Sequence, residues 1–337
     1  MLLFPYQINE SYYRDTERTY LEEFFPKRTL IITEHTVRYT QQTLTDIVNQ
    51  FGNIEQIVID VTHNPYGSDW LDLQNAYTIL AGLAPTVILS SDFSLFYSPR
   101  SNFIFFPVFL WAFSQKNPVW YRTVTFDCAI NKTKLLCCFN NSVWYHRILL
   151  LLSLIERPWF KQIEYTFGKY NPTLQSVCFS KLTDDQKNKF TQYTDLLPIA
   201  IADDFNANKN DVGISSRVYK ECVINLTTET SADFNIFTEK MAKPFMAHQI
   251  PIVVAAKNSA QFFEDVGLDM FSDIIPWKSW DNIDDINMRI EYIVKFLDTF
   301  IKQDPVLLYS NCADRLAYNK QYFHSAEFRN ILLKQLI

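Results

Sequence analysis

Gln56-Ile57-Val58-Ile59-Asp60-Val61 is a short β-branched run with a single acidic residue near its end. It is too brief for a helix and too apolar for a surface loop, which is the signature of a buried strand. Two neighbours have the same character, Thr29-Leu30-Ile31-Ile32-Thr33 and Thr86-Val87-Ile88-Leu89. A helical pattern from about Thr36 to Gly52 separates the first pair, with the glycine at the position past a helix end that favours it. Ser68 offers an N-cap for a second helix ending near Gly82. Strand, helix, strand, helix, strand requires right-handed crossovers and predicts a parallel sheet. Ligands of such sheets bind beyond the carboxyl ends of the strands. Asp60 to His63 and Ser90 to Asp92 are therefore expected at a functional rim.

A second α/β series follows Trp120. Lys134–Phe139 reads as a strand, and Ser142 as a cap for a helix carrying Trp144, His146, Arg147 and Leu149–Leu152. Gln162–Phe167 is a further strand, and Thr183–Thr194 an amphipathic surface helix. Glu221–Leu226 is a strand followed by a polar loop, Glu229 to Asn235. A helix from Thr238 to His248 precedes the strand Pro251–Ala255. From about Ile283 the chain reads as helical, with a break at Pro305. The expected fold is α/β, two Rossmann-like parallel-sheet domains. Residues 1–125 form the first and 126–305 the second, while C-terminal helices over 306–337 pack back on the first.

Composition narrows the chemistry. Of 337 residues, 31 are Lys or Arg and 37 Asp or Glu, a net charge of −6, which excludes a binder of nucleic acid driven by a broad basic surface. The chain has only 6 glycines and no Gly-x-Gly, so a Walker loop and a dinucleotide fingerprint are both absent. Six cysteines without a Cys-x-x-Cys read as buried thiols of a reducing compartment, and no apolar stretch reaches the ~18 residues of a membrane span. A cytoplasmic protein is expected. The sequons at Asn9, Asn131, Asn140 and Asn225 are then incidental.

Tyr219-Lys220 through Val254 is the most informative segment. Thr238 opens a helix whose first amides can hold an anion, Lys240 supplies a point charge suited to phosphate, and Glu239 can accept from ribose hydroxyls. The plain alternative is a capped helix with a solvated Glu-Lys pair. Asp60 and His63 are candidates for a general base, with a structural turn as the alternative, and Glu34-His35 follows the first strand, with a cap of the next helix as its alternative. His146 on an apolar helix reads as a core histidine, His248 as a partner of a helix C-terminus, and the aromatic run Phe103–Phe113 as core. Neither a Ser-His-Asp spacing nor a Gly-x-Ser-x-Gly elbow is present, and the absence of an Asp-x-Asp removes the carboxylate pair that holds manganese in metal-dependent sugar transfer.

These motifs resemble the donor-binding signature of the α1,3-fucosyltransferases. The resemblance rests on Tyr219-Lys220, Glu229-Thr230, Thr238-Glu239-Lys240 and Ile250-Pro251-Ile252-Val253-Val254, with Thr230 where that family has Asn. It extends to Asn140-Asn141 followed by Arg147. Ser90-Ser91-Asp92, Arg100 and Phe105-Phe106-Pro107 add to it, with Asp92 and Ser91 replacing the family's Glu and Gly. The block is also similar to phage and bacterial glycosyltransferase-like sequences, which Lys243-Pro244-Phe245 fits. The resemblance covers roughly residues 86–275. It implies two domains of the GT-B type facing a cleft, acceptor side first, and inverting transfer without a bound metal or other cofactor. The donor would be a nucleotide-diphosphate sugar such as GDP-fucose. It assigns donor binding to Arg147, Tyr219, Lys220, Glu229, Thr230, Thr238, Glu239 and Lys240, and the base to Asp92. The partners are then a nucleotide sugar and a hydroxyl acceptor. A glycan is expected, with hydroxymethylated bases of phage DNA as one alternative and a catalytically inactive glycan- or nucleotide-binding protein as another.

Overall fold

Each parallel run found in the sequence pairs with its neighbour, and the pairing produces two separate four-stranded sheets. The computed structural model describes residues 28–33, 41–51, 53–60, 70–98, 103–107, 110, 114, 131–169, 171, 176–201 and 216–334. The chain divides into one unit of Met1–Arg122 with Arg329–Ile337 and another of Thr123–Phe328.

In the first unit β1 (Thr29–Thr33), β2 (Gln56–Asp60), β3 (Thr86–Ser90) and β4 (Phe103–Phe105) lie side by side in chain order, all parallel. Every connection steps in the same direction, so right-handed crossovers place α1 (Gln41–Phe51) and α2 (Trp70–Ala81) on one face. Leu30, Ile32, Ile57, Ile59 and Ile88 of the sheet pack there against Leu44, Val48, Ala76 and Leu80 in a single core. The alternate residues Ile31, Val58 and Leu89 are also buried, which is why these strands read as unbroken apolar runs. A one-turn helix, α3 (Ser94–Tyr97), follows β3.

The second sheet joins β5 (Lys134–Asn140), β6 (Glu164–Phe167), β7 (Cys222–Thr228) and β8 (Ile250–Val254), again parallel, in the order β6-β5-β7-β8. The chain steps outward from β5 to β6 and then returns past β5 to β7, so the winding reverses between β5 and β7. Helix α4 (Tyr145–Leu154) links β5 to β6. Beyond β6 come α5 (Ser176–Ser180), α6 (Asp184–Thr191) and α7 (Arg217–Glu221), and α8 (Glu239–Met246) links β7 to β8. Because the two linking crossovers run in opposite directions, α4 and α8 cover opposite faces. Helices α9 (Ser259–Asp265), α10 (Ile286–Phe300), α11 (Pro305–Phe323) and α12 (Ala326–Leu332) complete the described chain. Helix α10 packs on α4, while α11 packs on α8, β5 and β7 and so builds the core of the second unit. No helix among the described residues is long and apolar enough to cross a membrane.

Local chemistry departs from the sequence reading at three places. Ser142 does not cap α4: the N-cap is Trp144, without a side-chain bond, because the Ser142 carbonyl is drawn to Arg147 Nη1 at 3.0 Å. The strand read from Gln162 begins at Glu164, after a 3-10 turn over Phe160–Gln162. Helix α8 ends at Met246 rather than His248. Pro244 lies inside it, has no N–H to give the preceding turn, and offers its own carbonyl to Gln249 N at 2.9 Å. By contrast, α6 has a complete capping box between Thr183 and Gln186.

Candidate functional site

Open α/β sheets bind ligands where the strand order reverses, outside the carboxyl ends of the strands. In the second sheet that place lies between Asn140 at the end of β5 and Thr228 at the end of β7. The first sheet has no such reversal among its described strands. Asn140 is fully buried. Its side chain accepts from the Thr228 hydroxyl and donates to Tyr165 Oη at 3.3 Å, which ties the two strand ends together. Gly168, past β6, lets the next turn pass: its amide donates to the Asn140 carbonyl at 2.7 Å, and a Cβ there would collide with the Asn141 carbonyl.

Glu229, the first residue beyond β7, is the hub of the site and is fully buried. Its Oε1 accepts from the Thr238 amide at 2.7 Å. Its Oε2 accepts from the Thr238 hydroxyl at 2.8 Å and the Thr230 amide at 2.9 Å. Burial raises its pKa, opposed by the Lys240 charge and by the amide bonds. Its carbonyl is gripped twice from α4, by His146 Nε2 and by Arg147 Nη2, both at 2.9 Å. Since a carbonyl can only accept, Nε2 carries the imidazole proton. Burial, and then the adjacent Arg147 charge, push the His146 pKa down to about 3, so the ring is neutral.

Arg147 is 2% exposed. Its guanidinium also donates to the carbonyls of Ser142 and Thr228, leaving only Nε without an acceptor. It therefore acts here as a staple between the ends of β5 and β7. Thr238 does occupy the N-cap position of α8, but its hydroxyl donates to Glu229 rather than accepting from the helix, because the buried carboxylate is the stronger acceptor. Lys240 is the cation nearer the surface, with its side chain 27% exposed. Its Nζ bonds Glu239 Oε1 at 2.9 Å, Thr238 Oγ1 at 3.1 Å and Thr230 Oγ1 at 3.2 Å. Although burial favours protonation of Glu239, Lys240 and Lys243 hold its pKa down to about 2. The rim thus presents one ammonium ringed by two hydroxyls and a carboxylate.

Tyr219 and Lys220 lie elsewhere. They belong to α7, at the amino end of the seven-residue β7, roughly 20 Å of strand away from Glu229. The Tyr219 carbonyl and that of Ala247 both accept from the buried Lys132 Nζ, at 2.7 and 2.8 Å. Its ring packs 5.0 Å from Phe139 and 5.8 Å from Lys243 Nζ. In the first unit, Asp60 ends β2 and is 3% exposed. Asp92 is half-buried, and its Oδ1 accepts from the Ser94 amide at 2.9 Å, a turn that opens α3. Phe105, Phe106 and Leu110 of the aromatic run are fully buried. His63, Glu34, His35 and Arg100 lie outside the described residues.

Sequence reasoning missed Asn140 and Thr228 as a pair, and the role of His146 as a donor to Glu229. The available signal was polar residues standing at the ends of two otherwise apolar strands. No group of three or more His, Cys, Asp or Glu among the described residues is arranged to hold a metal ion. A cavity of about 630 Å³ lies apart from these groups, among α4, α6 and α10, with Leu149, Ser153, Lys189 and Glu291 in its wall. Two of its cations are already paired, Lys189 with Glu156 at 2.7 Å and Arg157 with Asp298 at 3.0 Å.

No protein-family model matches the chain, and no curated protein matches it. Among solved structures it is similar to the crystal structure of an α1,3-fucosyltransferase, at 12% identity and a TM-score of 0.32, over 91% of this chain and 93% of that one.

Proposed function

We propose that the protein is a glycosyltransferase that moves a sugar from a nucleotide-diphosphate donor to a hydroxyl acceptor with inversion, the donor bound by the second unit. The observation that carries this reading is Lys240 at the switch point of the second sheet, its ammonium held at the surface by Thr230, Thr238 and Glu239. A diphosphate placed there meets a fixed positive charge and the Thr230 hydroxyl as a donor, while Glu239 is ionised and can accept from ribose. Arg147 contributes a buried charge behind the same turn and fixes the carbonyls that shape it. The leaving diphosphate gains negative charge as the sugar departs, and preorganised cations stabilise that charge without reorganising. The candidates for the base that deprotonates the acceptor are Asp92 first, with Asp60 and His63 behind it. The sequence lacks an Asp-x-Asp, so the cationic side chains carry the diphosphate in this proposal.

A second reading, a nucleotide-binding protein without catalysis, is favoured by one contact: the Asp92 carboxylate is engaged by the Ser94 amide. A thermal-shift panel of nucleotide sugars, followed by assay of donor hydrolysis and transfer, tests both. Stabilisation by one donor with sugar release supports the enzyme, and stabilisation without turnover supports the binding protein. No stabilisation by any nucleoside diphosphate or its sugars removes the donor site altogether. Asp92→Asn is expected to keep donor binding and abolish transfer; retained turnover moves the base to Asp60 or His63.

A further inference from the structure

Arg289, on the first turn of α10, is 5% exposed, yet among the described residues its only hydrogen bond runs from Nη1 to the Ala255 carbonyl just past β8. Its Nε is buried and meets no acceptor among the described residues. The acids around it are each engaged elsewhere. Asp281 gives both oxygens to the Ala260 and Gln261 amides, at 3.1 and 2.9 Å. Asp233 pairs with Lys181, Asp284 with Lys257, and Asp285 caps α10 through the Asn287 amide. Burial disfavours the Arg289 charge and the fields of Asp281, Asp284, Asp233 and Asp285 support it, but none of these acids accepts a hydrogen bond from it, so the Nε edge of the fork is left unused. Arg147 shows the same feature, a buried guanidinium bonded only to carbonyls with Nε unused.

The two arginines are carried by packed helices. Helix α4 contacts α10, and Asn287 Nδ2 donates to Tyr145 Oη at 3.4 Å beside them. His146 lies within the field of both charges, Arg147 more strongly than Arg289. Two under-coordinated cations thus stand at the carboxyl ends of the second sheet, one at β5 and β7 and one at β8.

We propose that Arg289 is a phosphate-binding residue, the unused Nε edge of its fork donating to a phosphoryl oxygen of a ligand seated at the carboxyl ends of β7 and β8. The inference rests on the donor reading above and extends the diphosphate site from Arg147 and Lys240 to a third cation on α10. A planar fork suits this task, because Nε–H and the adjacent Nη–H can meet two oxygens of one phosphate.

Isothermal titration of the full chain with inorganic pyrophosphate tests it, alongside Arg289→Gln and Arg289→Lys. The expected result is ~10- to 100-fold weaker binding in Arg289→Gln, with Arg289→Lys between it and the unaltered protein. Equal affinity in Arg289→Gln, or no pyrophosphate binding by the unaltered protein, overturns the inference. If Arg289→Gln does not fold, the Arg289 Nε–H signal, assigned by its loss in Arg289→Lys, is followed by NMR in the unaltered chain. A shift on adding pyrophosphate supports the contact, and an unmoved signal refutes it. A parallel titration with nucleoside diphosphates separates the two readings. Loss of affinity in Lys240→Ala but not in Arg289→Gln leaves the donor reading intact and refutes the Arg289 role. Pyrophosphate binding that depends on Arg289, with no affinity for nucleotides, keeps the phosphate site and discards the donor reading.

Discussion

Acidification is predicted to weaken the second unit through one imidazole. His146 is buried and donates from Nε2 to the Glu229 carbonyl, and its pKa lies at about 3 against an ordinary 6.5. A base whose folded pKa is depressed contributes stability that is fully present above its unfolded pKa and is lost as pH falls toward the folded value, because the unfolded chain binds the proton first. Across the window from 6.5 to about 3, linkage puts the loss at pH 5, relative to pH 7, at about 2 kcal/mol, with a ceiling of roughly 5 kcal/mol at lower pH. The assay is urea unfolding of the unaltered chain and of His146→Gln at pH 7, 6 and 5. Glutamine offers an amide N–H to the same carbonyl but does not titrate. Subtracting the two pH profiles removes the other acids, Glu229 and Asp281 among them, which titrate in both proteins. The difference is expected to shrink by about 2 kcal/mol between pH 7 and 5 in favour of the variant. Parallel profiles would show that His146 is protonated in the fold or reaches water, and the hydrogen-bond assignment at Glu229 would fall with it.

Arg147→Met removes the donor to three carbonyls at the ends of β5 and β7 and is expected to cost about 3–5 kcal/mol, measured by urea unfolding; a cost below about 1 kcal/mol would show that the staple is idle. Lys240→Ala breaks contacts at a partly exposed side chain, so stability should change by less than about 1 kcal/mol while nucleoside-diphosphate affinity falls ~10-fold or more. Glu229→Gln places an amide donor against the Thr230 and Thr238 donors and is expected to lower stability at pH 7 by about 1–3 kcal/mol. Because burial raises the Glu229 pKa, the unaltered chain also loses stability as pH rises through that value, a slope absent from Glu229→Gln. Gly168→Ala forces a Cβ onto the Asn141 carbonyl, and the melting temperature should drop by several degrees or more; an unchanged value would mean that the turn yields freely.

Strand identity was legible in the sequence because parallel strands buried on both faces must be apolar at every position. Thr29–Thr33 has the observed bounds, while Gln56–Val61 and Thr86–Leu89 differ from theirs by one residue. The ends of the helices between them were legible from Gly52 and Gly82, which follow Phe51 and Ala81, and Pro305 marked the start of α11, where its missing N–H costs nothing. Residue type also showed that Thr238, Glu239 and Lys240 open a helix. What the sequence did not contain was the strand order. β5 pairs with β7 across some 80 residues, and no local pattern records that the winding reverses there. That reversal brings Asn140, Arg147 and Glu229 together and leaves Tyr219 at the far end of β7. The partners of Arg147 and His146 were equally hidden, because they are backbone carbonyls that every residue possesses. Arg289 left one trace, a charge at a position buried with Ile286, Ile290, Ile293 and Leu297 along α10. Only the packed structure reveals that its Nε meets no acceptor among the described residues while the acids around it are bonded elsewhere, since pairing depends on distances the chain acquires when it folds.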